Sequence, residues 1–162
     1  MAALSGALAP ALFGTSSAAR LKAAGRGLLS HCRYARDLAV RHNTLARVEL
    51  DEAANAHRVV EYQVADGQTE PQWQPVAGAL GTWRALPEGV RFARGVARTE
   101  QGARAVTFAP DGSGEDWFML LADTQDRRLA VHVTAATGAS ELLAPDDGEV
   151  FAALEREAEA PP

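Results

Sequence analysis

Two features of this sequence carry groups that could do chemistry: the adjacent pair His31-Cys32 and an acidic turn at residues 111–116. A neighbouring histidine can activate a cysteine as a thiolate nucleophile. Successive side chains on a helix, however, point about 100° apart, and Cys32 falls on an apolar helical stripe. We therefore expect Cys32 to be buried as a small hydrophobic residue without a catalytic role. It is the only cysteine, so an internal disulfide is excluded.

The acidic turn, DGSGED, places oxygen donors at alternate positions, as at the start of a calcium loop. Its twelfth position has no glutamate to close such a site, so a hairpin turn is the simpler interpretation. The other histidines, His42, His57 and His132, lack metal-ligand spacing, and we expect them at isolated surface or strand positions. The sequence predicts no metal site.

Other catalytic signatures are missing from the sequence. It has no glycine-rich phosphate loop, no nucleophile-elbow serine and no carboxylate pair in a catalytic context. Trp73, Trp83 and Trp117 could mark a sugar or partner surface, although tryptophan more often anchors a core or an interface. We expect no enzymatic activity and no cofactor.

A long helix should precede the strands that carry these groups. Its opposite face is basic, and it should end at His42 and Asn43. It begins either at the capping residues 15–17 or further back, with a bend at Pro10. The apolar stripe recurs at three- and four-residue steps and comprises Leu21, Ala24, Leu28, Cys32, Ala35 and Ala39.

After residue 43 the periodicity changes from helical to two-residue alternation, which indicates strands. In the first strand Ala46, Val48 and Leu50 should form the buried face. The polar residues 66–74 predict a loop. Strands are predicted at 45–51, 58–65, 90–93, 105–108, 117–122 and 129–134, with a weaker one at 140–143. The predicted fold class is α+β: a long N-terminal helix packed on an antiparallel β-sheet or sandwich.

The 162 residues are the size of one domain. We expect the helix at 1–43, the antiparallel β domain at 44–144, and a tail at 145–162 with a short helix around Val150, Phe151 and Leu154. Residues 1–47 contain seven lysines and arginines and one acid, which leaves −11 for the remainder of a chain with net charge −5. A basic helix on an acidic body favours an acidic partner over nucleic acid. A solvated helix face explains the charge equally well.

Four stretches resemble the GspH/FimT-like family, which comprises the H-type minor pseudopilins of type II secretion and related minor pilins of type IV pili. Residues 9–13 (APALF) are similar to the proline-bearing middle of a pilin helix. Residues 28–43 (LLSHCRYARDLAVRHN) resemble the family's alanine-arginine run before the first strand. Residues 83–90 (WRALPEGV) resemble its leucine-proline-x-glycine approach to a strand. The most specific stretch is 106–113 (VTFAPDGS), a strand followed by a tight turn.

The resemblance implies a structural subunit that assembles with other pilin-like or pseudopilin subunits. The back half of its helix would pack across the β domain, and the front half would lie in the inner membrane or in a filament core. It implies a periplasmic domain, anchored in the inner membrane or held in a filament. We expect assembly through the helix and one edge of the β domain, with partner contacts at Arg26, Arg33, Arg36 and Arg41.

Two departures from the family pattern matter. The N-terminal processing signal has no counterpart, and residues 2–13 are apolar but too short to cross a bilayer. Either the upstream segment has been removed or the chain is a relative without an anchor. We favour removal and expect the native gene to encode about 20 further apolar residues.

Some type IV pilus relatives bind DNA through arginines that follow a glycine in the last strand. Residues 138–141 read GASE here, so the phosphate contacts would be missing and no nucleic-acid partner is expected. The predicted function is a minor pseudopilin or minor pilin. The alternative is a soluble β-sandwich module that binds a protein or glycan, and a DNA-binding minor pilin is less favoured still.

Overall fold

The structure is a computed structural model that describes residues 9–96, 104–149, 151–153 and 156, with side chains over 17–93, 105–149, 151–153 and 156. This part of the chain contains one long helix, α1 (Ala9–His42), and a series of strands. The strands are β1 (Ala46–Asp51), β2 (Ala56–Val64), β3 (Pro71–Pro75), β4 (Arg84–Ala85), β5 (Val90–Val96), β6 (Arg104–Phe108), β7 (Trp117–Asp123), β8 (Arg128–Val133) and β9 (Ser140–Leu143).

Of the two predicted starts of the helix, the earlier one agrees with the structure, because α1 is already formed at Ala9 and continues through Pro10. The first eight residues lie outside the described part. The helix ends where predicted: His42 is its last residue and Asn43 has a left-handed φ of 52°, a conformation that terminates helices. Every residue of the predicted apolar stripe is buried, with at most 4% of its surface exposed. The stripe prediction is confirmed.

The strands form two antiparallel sheets. Sheet I has the order β3-β2-β1-β6, with β4 also paired to β2, and sheet II has the order β5-β7-β8-β9. In sheet I the alternation of β1 places Val48 opposite Val59 of β2 and Val106 of β6. All three belong to one hydrophobic core that also includes Leu28 of the helix and Trp117 of sheet II. The predicted α+β fold, a helix packed on antiparallel sheets, is confirmed.

The other face of sheet II has a smaller apolar cluster of its own: Phe118, Leu120, Ala130, Leu143 and Phe151. Phe151 comes from the tail, which follows β9 through a 3-10 turn at Pro145–Asp147. Residues 151–153 are helical, as predicted for the tail. Val150 and Leu154, which the tail prediction also named, lie outside the described residues.

The predicted strands agree with the observed ones to within three residues at each end, but the loop prediction for residues 66–74 is partly wrong. Residues 71–75 form β3, where Trp73 lies opposite Tyr62 of β2. The segment is polar because it lies at the edge of sheet I with its side chains mostly toward solvent, and its strand conformation comes from pairing rather than from its own composition. The two-residue strand β4 was not predicted.

Two glycines in α1 have different surroundings. A Cβ atom on Gly25 would lie 2.4 Å from Leu129 Cδ2 and 2.8 Å from Leu142 Cδ1, whereas one on Gly27 would meet nothing within 4 Å. Gly25 therefore lets the helix approach sheet II closely, which offsets the helix propensity that a glycine loses, about 1 kcal/mol relative to alanine. Gly27 has no such packing role.

A buried carboxylate ties the helix to sheet II. Asp123, at the end of β7, is only 2% exposed. Its Oδ2 accepts a hydrogen bond from Ser17 Oγ on the helix at 3.0 Å and from Arg127 Nε at 2.7 Å. Its Oδ1 accepts from the backbone amides of Gln125 at 2.8 Å and Arg127 at 3.1 Å. Every oxygen of this carboxylate is thus satisfied by the turn after β7 and by the helix.

Candidate functional site: the exposed face of the helix

The exposed face of α1, opposite its buried stripe, carries most of the charge of the helix. Between Ser17 and His42 the exposed ionised side chains are five cations and one acid, namely Arg20, Lys22, Arg26, Arg33, Asp37 and Arg41. Ser30 and Val40 are also exposed, and Val40 has 46% of its surface accessible. The helix therefore presents a basic ridge with an apolar side chain near its C-terminal end.

The predicted contact residues Arg26, Arg33 and Arg41 lie on this ridge. Arg33 has a long contact of 3.5 Å from Nη2 to the carbonyl of Ser140, and Arg41 Nε donates to the Asp37 carbonyl of its own helix at 3.2 Å. Both contacts are solvent-exposed and involve no ion pair, so they hold the guanidinium groups weakly. All three cations are exposed to solvent.

Arg36, the fourth predicted contact residue, is half-buried and has hydrogen bonds inside the molecule. Its Nε donates to the carbonyls of Gly112 and Thr137, both at 3.0 Å. These carbonyls belong to the β6–β7 turn and the β8–β9 loop, which touch: a Cβ on Gly138 would lie 2.3 Å from the Gly112 carbonyl oxygen. Arg36 thus joins the turn that leads from sheet I to sheet II to the β8–β9 loop of sheet II. Its guanidinium stabilises the fold.

The turn at residues 111–116 is tight, as predicted, but it does not join a hairpin: β6 belongs to sheet I and β7 to sheet II, and only an isolated antiparallel bridge links Phe108 to Gly114. The Oδ1 atom of Asp111 accepts from the backbone amide of Ser113 at 2.9 Å and from its hydroxyl at 2.6 Å, and Gly112 has a φ of 83°. These hydrogen bonds from Ser113 lower the pKa of the Asp111 carboxyl. The carboxylate thus closes a tight turn.

Cys32 is fully buried, as predicted. Burial raises the pKa of its thiol to about 12, so the thiol stays protonated and non-nucleophilic at neutral pH. The nucleophile interpretation of the His31-Cys32 pair therefore has no chemical basis.

The prediction that His57 occupies an isolated position is wrong. It lies in β2 but is 3% exposed, and its ring packs against that of His31 on the helix with 4.6 Å between centroids. Within the described part of the chain, His31 Nδ1 and both ring nitrogens of His57 are buried without a hydrogen-bond partner. The pair therefore sits neutral at the junction of helix and sheet I. Sequence alone gave no signal for it, since the residues are 26 positions apart.

The other histidines have carboxylate neighbours. His42 Nδ1 lies 2.6 Å from Glu61 Oε1, so the C-terminal end of the helix is tied to β2. His132 lies between Glu141, at 3.2 Å from Nδ1, and Asp116, at 3.3 Å from Nε2. In the described part of the chain no group of three or more histidine, cysteine, aspartate or glutamate side chains is arranged to hold a metal ion.

The solvent side of sheet I holds an aromatic and ionic cluster that the alternation of β1 only partly indicated. Arg47, expected to face solvent, is 8% exposed and lies 4.0 Å over the Trp73 ring. Glu49 pairs through one oxygen with Arg47 and through the other with Arg58, whose Nε lies 2.9 Å away. Arg58 in turn lies 4.4 Å over Trp83. Two tryptophans are thus committed to intramolecular cation–π contacts.

The third tryptophan, Trp117, is 1% exposed and belongs to the core. Of the two roles considered for tryptophan, anchoring the core therefore applies fully to Trp117, whereas Trp83 remains 45% exposed.

Across the described helix, no segment is both long enough and apolar enough to cross a membrane.

A long helix with a buried stripe, packed across two antiparallel sheets and exposing a charged face, is a pilin-like α+β fold. Residues 24–138 match the family model for the type II transport protein GspH, and the chain belongs to this family. The match covers the helix from Ala24, the second residue of its buried stripe, all of sheet I and most of sheet II. A comparison with curated proteins finds no match.

Solved structures with a similar fold include the minor pseudopilin EpsH from the type 2 secretion system of Vibrio cholerae. One EpsH structure aligns with a TM-score of 0.60 and 17% sequence identity over 80% of this chain and 99% of the other. A second aligns with a TM-score of 0.58 and 14% identity over 78% and 97% of the two chains. The type IV minor pilin FimU of Pseudomonas aeruginosa aligns with a TM-score of 0.50 and 14% identity over 76% and 92%.

Proposed function

We propose that this chain is a minor pseudopilin of a type II secretion system, or a related minor pilin, and that it acts by assembling with other pilin-like subunits. Its role is structural and not enzymatic. The single observation that carries the proposal is membership of the GspH family. The exposed basic face of the helix supports it. The β domain would lie in the periplasm, with the front of the helix directed toward a membrane or filament core.

Charge supports this mode of action. The exposed helix ridge carries five cations against Asp37 alone, whereas the chain as a whole has a net charge of −5. Subunits of similar composition would therefore offer acidic surfaces to the basic ridge of a neighbour. Complementary charge of this kind steers association and fixes orientation more than it adds affinity.

The ridge can be tested by reversing its charge. Replacing Arg26 and Arg33 together with glutamate should weaken binding to the pilin-like subunits of the same system by about tenfold or more, since two attractive contacts become repulsive. The free energy of unfolding should change by less than about 0.5 kcal/mol, because both side chains are exposed. A pull-down with purified sibling subunits and urea unfolding of the free chain measure the two quantities.

Arg36→Ala is the contrasting variant. It removes two charge-assisted hydrogen bonds that join loops of the β domain and should cost about 1–3 kcal/mol of stability. A loss of stability from the Arg26 and Arg33 reversal comparable to that of Arg36→Ala would assign the ridge to the fold. Unchanged binding after the reversal would remove the ridge from the interface.

A further inference from the structure

Within the described residues, five strands have only one paired neighbour: β3, β4 and β6 in sheet I, and β5 and β9 in sheet II. Strand β4 has only two residues, too few to present a long edge. An open edge can pair with another chain, so natural proteins usually block it. The edge of β5 is blocked at its first three residues by Asn55 from the β1–β2 turn. The Asn55 Nδ2 group donates to the Val90 carbonyl at 2.6 Å, and its Oδ1 accepts from the Phe92 amide at 3.0 Å. One side chain therefore occupies the place of a pairing strand.

The edge of β6 is blocked in the same manner. The amide of Thr107 donates to Glu115 Oε2 at 2.9 Å, and the Thr107 carbonyl accepts from the Glu115 amide at 3.2 Å. The edge of β3 is protected by its composition. Its pairing register, Glu61 with Gln74 and Val60 with Pro75, leaves positions 71, 73 and 75 facing outward because hydrogen-bonded and non-bonded pairs alternate. Two of these three are prolines, which have no amide to offer.

The edge of β9 has no equivalent block. The Thr134 amide donates to the Ala139 carbonyl at 2.9 Å, and β8 and β9 continue with His132 opposite Glu141. Alternation along this ladder points the backbone groups of Ser140 and Leu142 away from β8. Among the described residues, Arg33 reaches the Ser140 carbonyl at 3.5 Å, and no residue bonds the outward groups of Leu142.

We propose that this open edge of β9 pairs with an extended segment of a neighbouring pilin-like subunit, and that the segment carries acidic side chains on the side facing α1. The inference rests on the proposed function and adds a second contact between the subunits, besides the basic ridge of the helix. The acidic requirement follows from position: Arg33 overlooks the edge from the helix, and Arg26 lies two turns earlier on the same exposed ridge. An ion pair between either arginine and an acidic side chain of the segment would add charge complementarity to the backbone pairing.

A second copy of this chain fits the edge poorly. Two β9 strands paired antiparallel about a two-fold axis would bring the two Glu141 side chains, each 57% exposed, next to each other. The two Arg33 guanidinium groups would also approach across the same axis. Like charges directly opposite in a sheet are destabilising, so the geometry favours a different subunit.

Leu142→Pro tests the edge directly. Proline removes an amide that points outward, so the pairing of β9 with β8 stays intact. Binding to the purified sibling subunits should fall about tenfold or more, from one lost hydrogen bond and the clash of the ring with an added strand. Leu142→Ala, which keeps the amide, is the matched control and should bind within about threefold of the unchanged protein.

If Leu142→Pro fails to fold, hydrogen–deuterium exchange on the unchanged chain tests the same edge. On adding the sibling subunit to the unchanged chain, the amides of Ser140 and Leu142 should exchange with deuterium more slowly by about tenfold or more, while the outward amide of Trp73 on β3 keeps its rate. Binding without protection at Ser140 and Leu142, or equal binding by Leu142→Pro, overturns the edge and leaves the proposed function standing. Absence of any binding by the unchanged chain overturns both. Self-association that Leu142→Pro abolishes would replace the neighbouring subunit with a second copy.

Discussion

Replacing Asp123 with asparagine should lower the free energy of unfolding by about 2–3 kcal/mol, the largest effect we expect from a single polar substitution. The carboxylate is buried and accepts hydrogen bonds from Ser17 on the helix, from the amides of Gln125 and Arg127, and from the Arg127 guanidinium. An amide has the same shape but turns an NH2 group toward at least one donor. The lost charge-assisted bonds would loosen the helix from sheet II, and urea unfolding measures the change.

Asp126→Asn is the matched control, since Asp126 lies in the same turn but its side chain is 62% exposed and forms surface ion pairs with Arg91 and Arg128. Its replacement should change stability by less than about 0.5 kcal/mol. Equal effects of the two substitutions would show that Asp123 does not fix the helix. Hydrogen exchange should locate the loss for Asp123→Asn in the helix around Ser17.

Acid should destabilise the protein at a second place, the buried histidine pair. Burial, the neighbouring His31 and the Arg84 guanidinium together lower the pKa of His57 from 6.5 to about 4. The unfolded chain therefore binds a proton between these values that the folded chain does not. The stabilisation is complete above pH 6.5 and is lost as the pH falls toward 4, and the free energy of unfolding should drop by about 3 kcal/mol over that range.

His31 adds to the same trend, because burial and then Arg84 lower its pKa as well. Asp123 acts in a different window. Burial alone would raise the pKa of its carboxyl, but the bonds from Arg127, Gln125 and Ser17 outweigh burial and lower it. The contribution of Asp123 is therefore present above the unfolded-state pKa near 4 and is lost only below it. Chemical unfolding at a series of pH values separates the two.

His57→Leu should remove most of the decline in the free energy of unfolding between pH 7 and 4. It removes two buried ring nitrogens, and with them the proton that the unfolded chain binds and the folded chain does not. His132→Gln keeps the buried pair and should retain the decline. A free energy of unfolding that is constant from pH 7 to 4.5 in the unchanged protein would contradict the assignment of a neutral, buried pair.

The sequence predicted those parts of the fold that depend on local periodicity. The stripe from Leu21 to Ala39 and the alternation in β1 follow directly from burial on one face. Strand β3 escaped prediction because its conformation depends on pairing between Trp73 and Tyr62. In the same way, the contacts of His31 with His57 and of Asn55 with β5 join residues far apart in sequence, and no spacing rule links them.

The sequence was sufficient to predict the positive charge of the candidate site, but not which of its arginines are accessible. The basic residues of the helix were visible in the sequence, yet nothing in it distinguished Arg36 from Arg33. The structure separates them: Arg36 bonds two loop carbonyls, while Arg33 makes one long contact to Ser140. Only the three-dimensional position of the turn at Gly112 and the loop at Thr137 determines that difference.

Site-specific crosslinking tests the central claim, that the exposed helix face meets other pilin-like subunits. A photoreactive residue at Ser30, on the ridge, should crosslink to a pilin-like subunit when the chain is assembled with its system. The same group at Gln68, in the exposed turn between β2 and β3, should give little product. Crosslinks from Gln68 with none from Ser30, or none from either position, would contradict the account.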